Sequence, residues 1–171
     1  MTKHAMPVAA RALAGAIAVA LTVAVADRAG AQAVPLSYTG TLDFVDPASA
    51  SDLDLVFGDA FTVMALLDPS LLGGFGPEAI ALDVSGHGFD LAIGDGALAF
   101  DETDDYVAGA GFPQALFDDG LLVGFDFSSN PFGAGGAPYQ VRLLEDSLEI
   151  TTGLMDTPSV VVTGSLAVSP D

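Results

Sequence analysis

The sequence contains no cysteine and no tryptophan, and only four of its 171 residues are lysine or arginine. Without cysteine, the chain has no disulfides, no thiol nucleophile and no cysteine-based zinc site. Without tryptophan, and with Tyr38, Tyr106 and Tyr139 as the only polar aromatics, the usual platform for stacking a sugar ring is thin. Three of the four cations, Lys3, Arg11 and Arg28, precede residue 34. Beyond it Arg142 stands alone against 22 carboxylates, a net charge of −21. A field of that sign repels phosphate backbones and anionic lipid, so neither nucleic acid nor an anionic membrane surface is expected as a partner. Also lacking, after residue 26, is any apolar run long enough to span a bilayer.

What is present at the start of the chain reads as an export signal. Lys3, His4 and Arg11 form a positive beginning, residues 12 to 26 are an apolar run, and Ala31-Gln32-Ala33 places small residues at the cleavage positions. That run of about 15 residues is short of the roughly 20 needed for a transmembrane helix, and Asp27-Arg28 closes it. The expectation is a signal peptide, helical in its apolar part, over residues 1 to 33. The exported product, secreted to the exterior or held in the periplasm, then begins at Val34. Its 138 residues, 34 to 171, make a single domain large enough to bury a core of its own.

The remainder is punctuated every 8 to 12 residues by glycine, proline and aspartate. Leu36, Tyr38, Leu42 and Phe44 alternate with polar residues and predict one buried face of a strand. Phe61, Val63, Ala65 and Leu67 predict a second strand, closed by Asp68-Pro69, and Ile80, Leu82 and Val84 a third. Residues 89 to 93 and 97 to 100 flank Gly94-Asp95-Gly96, a hairpin signal because glycine accepts the positive φ that tight turns demand. Residues 106 to 108, 121 to 127, 139 to 144, 147 to 151 and 160 to 168 complete the set. No helix is expected after the signal. About nine or ten short strands predict an all-β, antiparallel β-sandwich or jelly-roll-like domain.

Several of these segments together resemble a known family, the exported bacterial proteins of the PEP-CTERM type. The resemblance lies in Tyr38-Thr39-Gly40-Thr41, in Phe57-Gly58-Asp59-Ala60-Phe61-Thr62 ahead of Asp68-Pro69, in Leu91-Ala92-Ile93-Gly94, and in Asp119-Gly120-Leu121-Leu122-Val123-Gly124-Phe125, and so covers most of residues 36 to 127. It implies export and a β-rich role at the cell surface or in the extracellular matrix, and it supplies no catalytic residue. The family's sorting tail carries a Pro-Glu-Pro motif, an apolar helix and terminal basic residues. Here Ser165-Leu166-Ala167-Val168-Ser169-Pro170-Asp171 stands in its place, which favours a secreted or periplasmic product over an anchored one.

For chemistry the residues offer little. His87, in Ser85-Gly86-His87-Gly88, is the only histidine after His4, no Gly-x-Ser-x-Gly elbow exists, and His87 reads as a solvent-exposed turn residue. Paired carboxylates of the glycosidase kind are available in number, but no pair stands out. Arg142 is expected to make a surface ion pair. The densest acid cluster, Asp101, Glu102, Asp104 and Asp105, has the oxygen donors that calcium takes, with either Asp95 across the hairpin or Asp118 and Asp119 as further ligands. The expectations are therefore, in order, a non-catalytic exported structural protein with matrix polysaccharide or other surface proteins as partners, a calcium-stabilised binding or adhesion module, and a secreted hydrolase. No catalytic residue is assigned, and calcium is the only cofactor that the residues suggest.

Overall fold

The structure, a computed structural model, describes residues 32–48, 50, 52–107, 109–130, 139–152 and 158–167. The expected signal peptide lies outside these up to residue 31. The described residues form ten strands: β1 (Val34–Val45), β2 (Ala60–Leu67), β3 (Pro77–Ala81), β4 (Gly88–Ile93), β5 (Leu98–Asp101), β6 (Gln114–Asp118), β7 (Leu121–Ser128), β8 (Tyr139–Glu145), β9 (Ser147–Thr152) and β10 (Ser159–Leu166). The only helical element among the described residues is a single 3-10 turn, Pro69–Leu71, capped by the Asp68 side chain.

All pairings are antiparallel, and the ladder runs without a break through one sheet in the order β3-β6-β7-β8-β9-β10-β1-β2-β4-β5. The all-β class is as expected, but there is one continuous curled sheet where the periodicity suggested two facing ones. Period-two alternation marks a buried face. It does not say whether the strands that share that face belong to one ladder or two.

The curl brings β4 onto β7, although five strands separate them in the sheet. Phe89 of β4 stacks on Phe127 of β7 with ring centroids 5.0 Å apart and lies 6.2 Å from Phe125. Tyr38 of β1 meets Phe125 edge-on at 6.1 Å, and Phe100 of β5 lies 5.7 Å from Phe127. Each fully buried phenylalanine contributes about 1.5–3 kcal/mol by leaving water, and the offset and edge contacts are the geometries that aromatic rings favour. This cluster holds the two halves of the sheet together around one core.

Two glycines make room for a sixth ring, that of Phe61. A side chain at Gly40 would strike the Phe61 ring and the Ser165 carbonyl, and one at Gly164 would meet the Thr41 carbonyl at 2.8 Å and the same ring at 3.0 Å. The β1–β10 pair therefore passes under Phe61 with bare backbone.

Three expectations are corrected. Phe44 is 49% exposed, because the β1–β10 register shifts between Leu42 and Phe44 and an extra residue turns every later side chain to the other face. Val84 lies beyond the end of β3 and is likewise exposed. Of the expected strand 106 to 108, residue 108 lies outside the described residues and 106 and 107 form no strand; the only pairing nearby among the described residues is a single bridge between Asp105 and Ser129. Conversely, β6 was not expected. Its sequence Gln-Ala-Leu-Phe-Asp has weak strand propensity, and it is held by pairing on both sides, with Ala115 and Phe117 buried. The connection between β1 and β2 also contributes to the core, with Ala50, Leu53 and Leu55 buried.

Candidate functional site

The acidic turn follows the β4–β5 hairpin, whose own reversal places Gly94, Asp95 and Gly96 at φ of 61°, 52° and 85°. Strand β5 then delivers Asp101 to its end, and the next four residues turn the chain toward β7. Asp101 Oδ1 accepts from the Thr103 N–H at 2.8 Å and from its hydroxyl at 2.6 Å. Asp104 Oδ2 accepts from the Asp101 N–H at 3.0 Å. Glu102 reaches sideways, its Oε2 3.5 Å from the Phe89 nitrogen.

Asp105 differs from the others in being 3% exposed. Its Oδ1 accepts from the Val107 N–H at 2.8 Å and its Oδ2 from the Ser128 N–H at 2.9 Å. Around it, the Tyr106 N–H donates to the Ser128 carbonyl at 2.7 Å and the Asn130 N–H to the Asp104 carbonyl at 2.9 Å. The four expected calcium ligands are thus close in sequence and turned toward four separate sets of backbone donors. Among the described residues, no group of three or more histidine, cysteine, aspartate or glutamate side chains is arranged to hold a metal ion. Of the further ligands considered, Asp95 sits at the far turn of the hairpin, and Asp119, with φ 49°, accepts from the Gly76 N–H at 2.8 Å at the β6–β7 turn.

His87 is not the exposed turn residue that its glycine neighbours suggested. It is half-buried; Nδ1 donates to the Ala81 carbonyl at 2.7 Å and Nε2 accepts from the Asp68 N–H at 3.2 Å. That pairing requires the neutral ring with its hydrogen on Nδ1. The imidazole joins the end of β3 to the residue that closes β2, so both nitrogens are committed to the fold. Ser85 lies exposed in the same turn.

Other polar groups had no sequence signal. Asp83 accepts from the Gly111 N–H at 3.1 Å through Oδ2, while its Oδ1 is buried with no partner among the described residues. Asp126, on β7, has its carboxyl pushed up from the ordinary value by burial; the Arg142 charge pulls it down and the Asp105 charge pushes it up further. Arg142 lies opposite Glu149 on β9 and Ser128 on β7. Burial alone raises Tyr38 and Tyr139. These environments depend on which strands become neighbours, and residue order along one strand carries no mark of that.

No protein-family model matches the chain, and comparisons with curated proteins and with solved structures found no match.

Proposed function

We propose that this chain is an exported, non-catalytic β-domain with a structural role at the cell surface, in the periplasm or in the extracellular matrix. The observation that carries this reading is the state of His87. The one imidazole of the domain has both nitrogens hydrogen-bonded to backbone groups 2.7 and 3.2 Å away, which leaves neither for proton transfer to a substrate. The acidic turn supports the same view, since its carboxylates brace the chain between β5 and β7. The likeness of residues 36 to 127 to PEP-CTERM-type ectodomains and the signal-like start belong to this proposal. So does a sandwich-like reading of the fold, in which the halves β3-β6-β7-β8-β9 and β10-β1-β2-β4-β5 act as two layers joined at β9–β10.

The test has three parts. Expression of the full chain in a bacterial host, followed by fractionation and mass spectrometry, is expected to give an exported product that starts at Val34; a product retained in the cytoplasm with residues 1 to 33 intact would remove the export half of the reading. A broad ester and glycoside screen is expected to show no turnover. Turnover abolished by His87→Ala in a folded variant would replace the structural role with a hydrolase. A thermal melt in millimolar calcium against chelator separates out the calcium-stabilised module, for which the midpoint must rise with calcium.

A further inference from the structure

The outer face of β1, β2, β4 and β5 carries a groove of about 760 Å³. Strand register explains its makeup. Pro35, Leu66 and Gly88 lie side by side on β1, β2 and β4, and in the adjacent row Ser37, Met64, Asp90 and Asp101 face one another across β1, β2, β4 and β5. Met64 is 48% and Leu66 38% exposed, so two large apolar side chains form an open floor; the missing side chain at Gly88 leaves a notch beside them. Along one wall, Asp90 and Asp101 are directly opposed across the β4–β5 pair, and Glu102 follows. Like charges in that relation repel, and among the described residues no cationic side chain lines the groove to offset them.

We propose that this groove docks an arginine-bearing apolar segment of a partner protein. The aliphatic stem of an arginine lies over Met64 and Leu66 while its planar guanidinium bridges the Asp90 and Asp101 carboxylates, and flanking apolar side chains cover the floor at Pro35. Charge complementarity selects this occupant: a cation relieves the cross-strand repulsion that the free domain carries, and an anionic or neutral strand does not. A second copy of the domain is a poor fit, because beyond residue 34 the sequence has only Arg142 to offer. The inference rests on the groove and stands apart from the exported structural role.

The experiment is calorimetric titration of the full chain with a short synthetic peptide alternating leucine and arginine. Two control peptides carry glutamate in place of arginine, or serine in place of leucine. Saturable binding of the leucine–arginine peptide alone is expected, weakening as salt is raised. Asp90→Asn combined with Asp101→Asn is expected to weaken it about three- to tenfold. Met64→Ser is expected to weaken it as well. Asp95→Asn combined with Asp118→Asn removes the same charge outside the groove and is expected to leave affinity unchanged. Equal losses from both double variants would reduce the effect to net charge and overturn the proposal, as would absence of saturable binding or equal binding of either control peptide. Binding seen only once residues 1 to 31 are removed would give the groove to the chain's own basic, apolar start and overturn a separate partner.

Discussion

Asp105 and Ser128 lie 23 residues apart in sequence, and the Asp105 carboxylate accepts the Ser128 N–H at 2.9 Å from a position only 3% exposed. Its second oxygen takes the Val107 N–H, so one side chain satisfies two backbone donors where the chain leaving β5 crosses to the end of β7. Next to it Ser129 is also buried, exchanging hydrogen bonds with Val141 through its hydroxyl and its own N–H. This is a polar seam on a curled sheet whose core is otherwise aromatic and aliphatic. A buried carboxylate there is stable because each oxygen meets a donor.

Replacing Asp105 is therefore expected to be costly. Asp105→Ala leaves two donors without their partner and is expected to lower stability by about 2–4 kcal/mol, from two lost charge-assisted bonds at the usual scale for such groups. Asp105→Asn keeps one acceptor and turns an NH₂ toward the other donor, with an expected loss of about 1–3 kcal/mol. Urea unfolding of both variants reads this directly, and a midpoint unchanged in both would show that the seam contributes nothing.

The His87 clamp makes a prediction of a different shape. Asn can be both donor and acceptor but is shorter than the ring, so His87→Asn is expected to retain part of the stability that His87→Ala loses. The Ala loss is about 1–3 kcal/mol for two backbone partners left unpaired in a half-buried site. Hydrogen exchange at the Asp68 amide supplies a local check, because that N–H loses its acceptor in the Ala variant and is expected to exchange faster. Unchanged exchange there would mean that the Asp68 contact is not made in solution.

Close packing over Gly40 is testable by a double-mutant cycle. Gly40→Ala is expected to destabilise by about 1–3 kcal/mol through overpacking against the Phe61 ring and the Ser165 carbonyl. Phe61→Leu removes the ring and costs stability alone, yet in its presence the further cost of Gly40→Ala should fall. Strict additivity of the two substitutions would place the whole cost on the backbone contact with Ser165 instead.

Asp126 gives a pH dependence with a defined sign. Burial raises its carboxyl in the folded state, outweighing the lowering by Arg142, so the folded chain holds this proton to higher pH than the unfolded chain. Folding is accordingly penalised as pH rises from below the ordinary carboxylate range through the raised value. Asp126→Asn is expected to be relatively more stable at neutral pH, with its advantage over the parent shrinking as pH falls below that range. Unfolding curves for the two proteins across this interval measure it, and an advantage that grows on acidification would reverse the assigned cause.

Much of the strand pattern was legible locally. Phe61, Val63, Ala65 and Leu67 alternate in sequence and all four are buried on β2, and the Gly94-Asp95-Gly96 turn joins β4 to β5 as its positive φ values require. Strands β7 to β10 fall within a residue or two of the expected ends where they are described, apart from the stretch beyond Leu166. Where the reading failed, the missing information was non-local. Strand β6 exists because β3 and β7 pair with it, and Phe44 faces water because the partner strand β10 accommodates a bulge.

The candidate site divides in the same way. That residues 101 to 105 form an acidic turn after a hairpin follows from sequence, since aspartate and threonine bond their own backbone within two or three residues, as Asp101 and Asp104 do. That Asp105 is buried across from Ser128, and that His87 bridges Ala81 and Asp68, follows only from how the sheet curls. Composition and period-two alternation determined by themselves an acidic, cysteine-free, all-β chain, because those properties depend on each residue and its near neighbours. Which carboxylate is buried, and which backbone groups hold the one imidazole of the domain, was decided by the closure of ten strands around one core, because those partners are distant in sequence and meet only when the sheet folds onto itself.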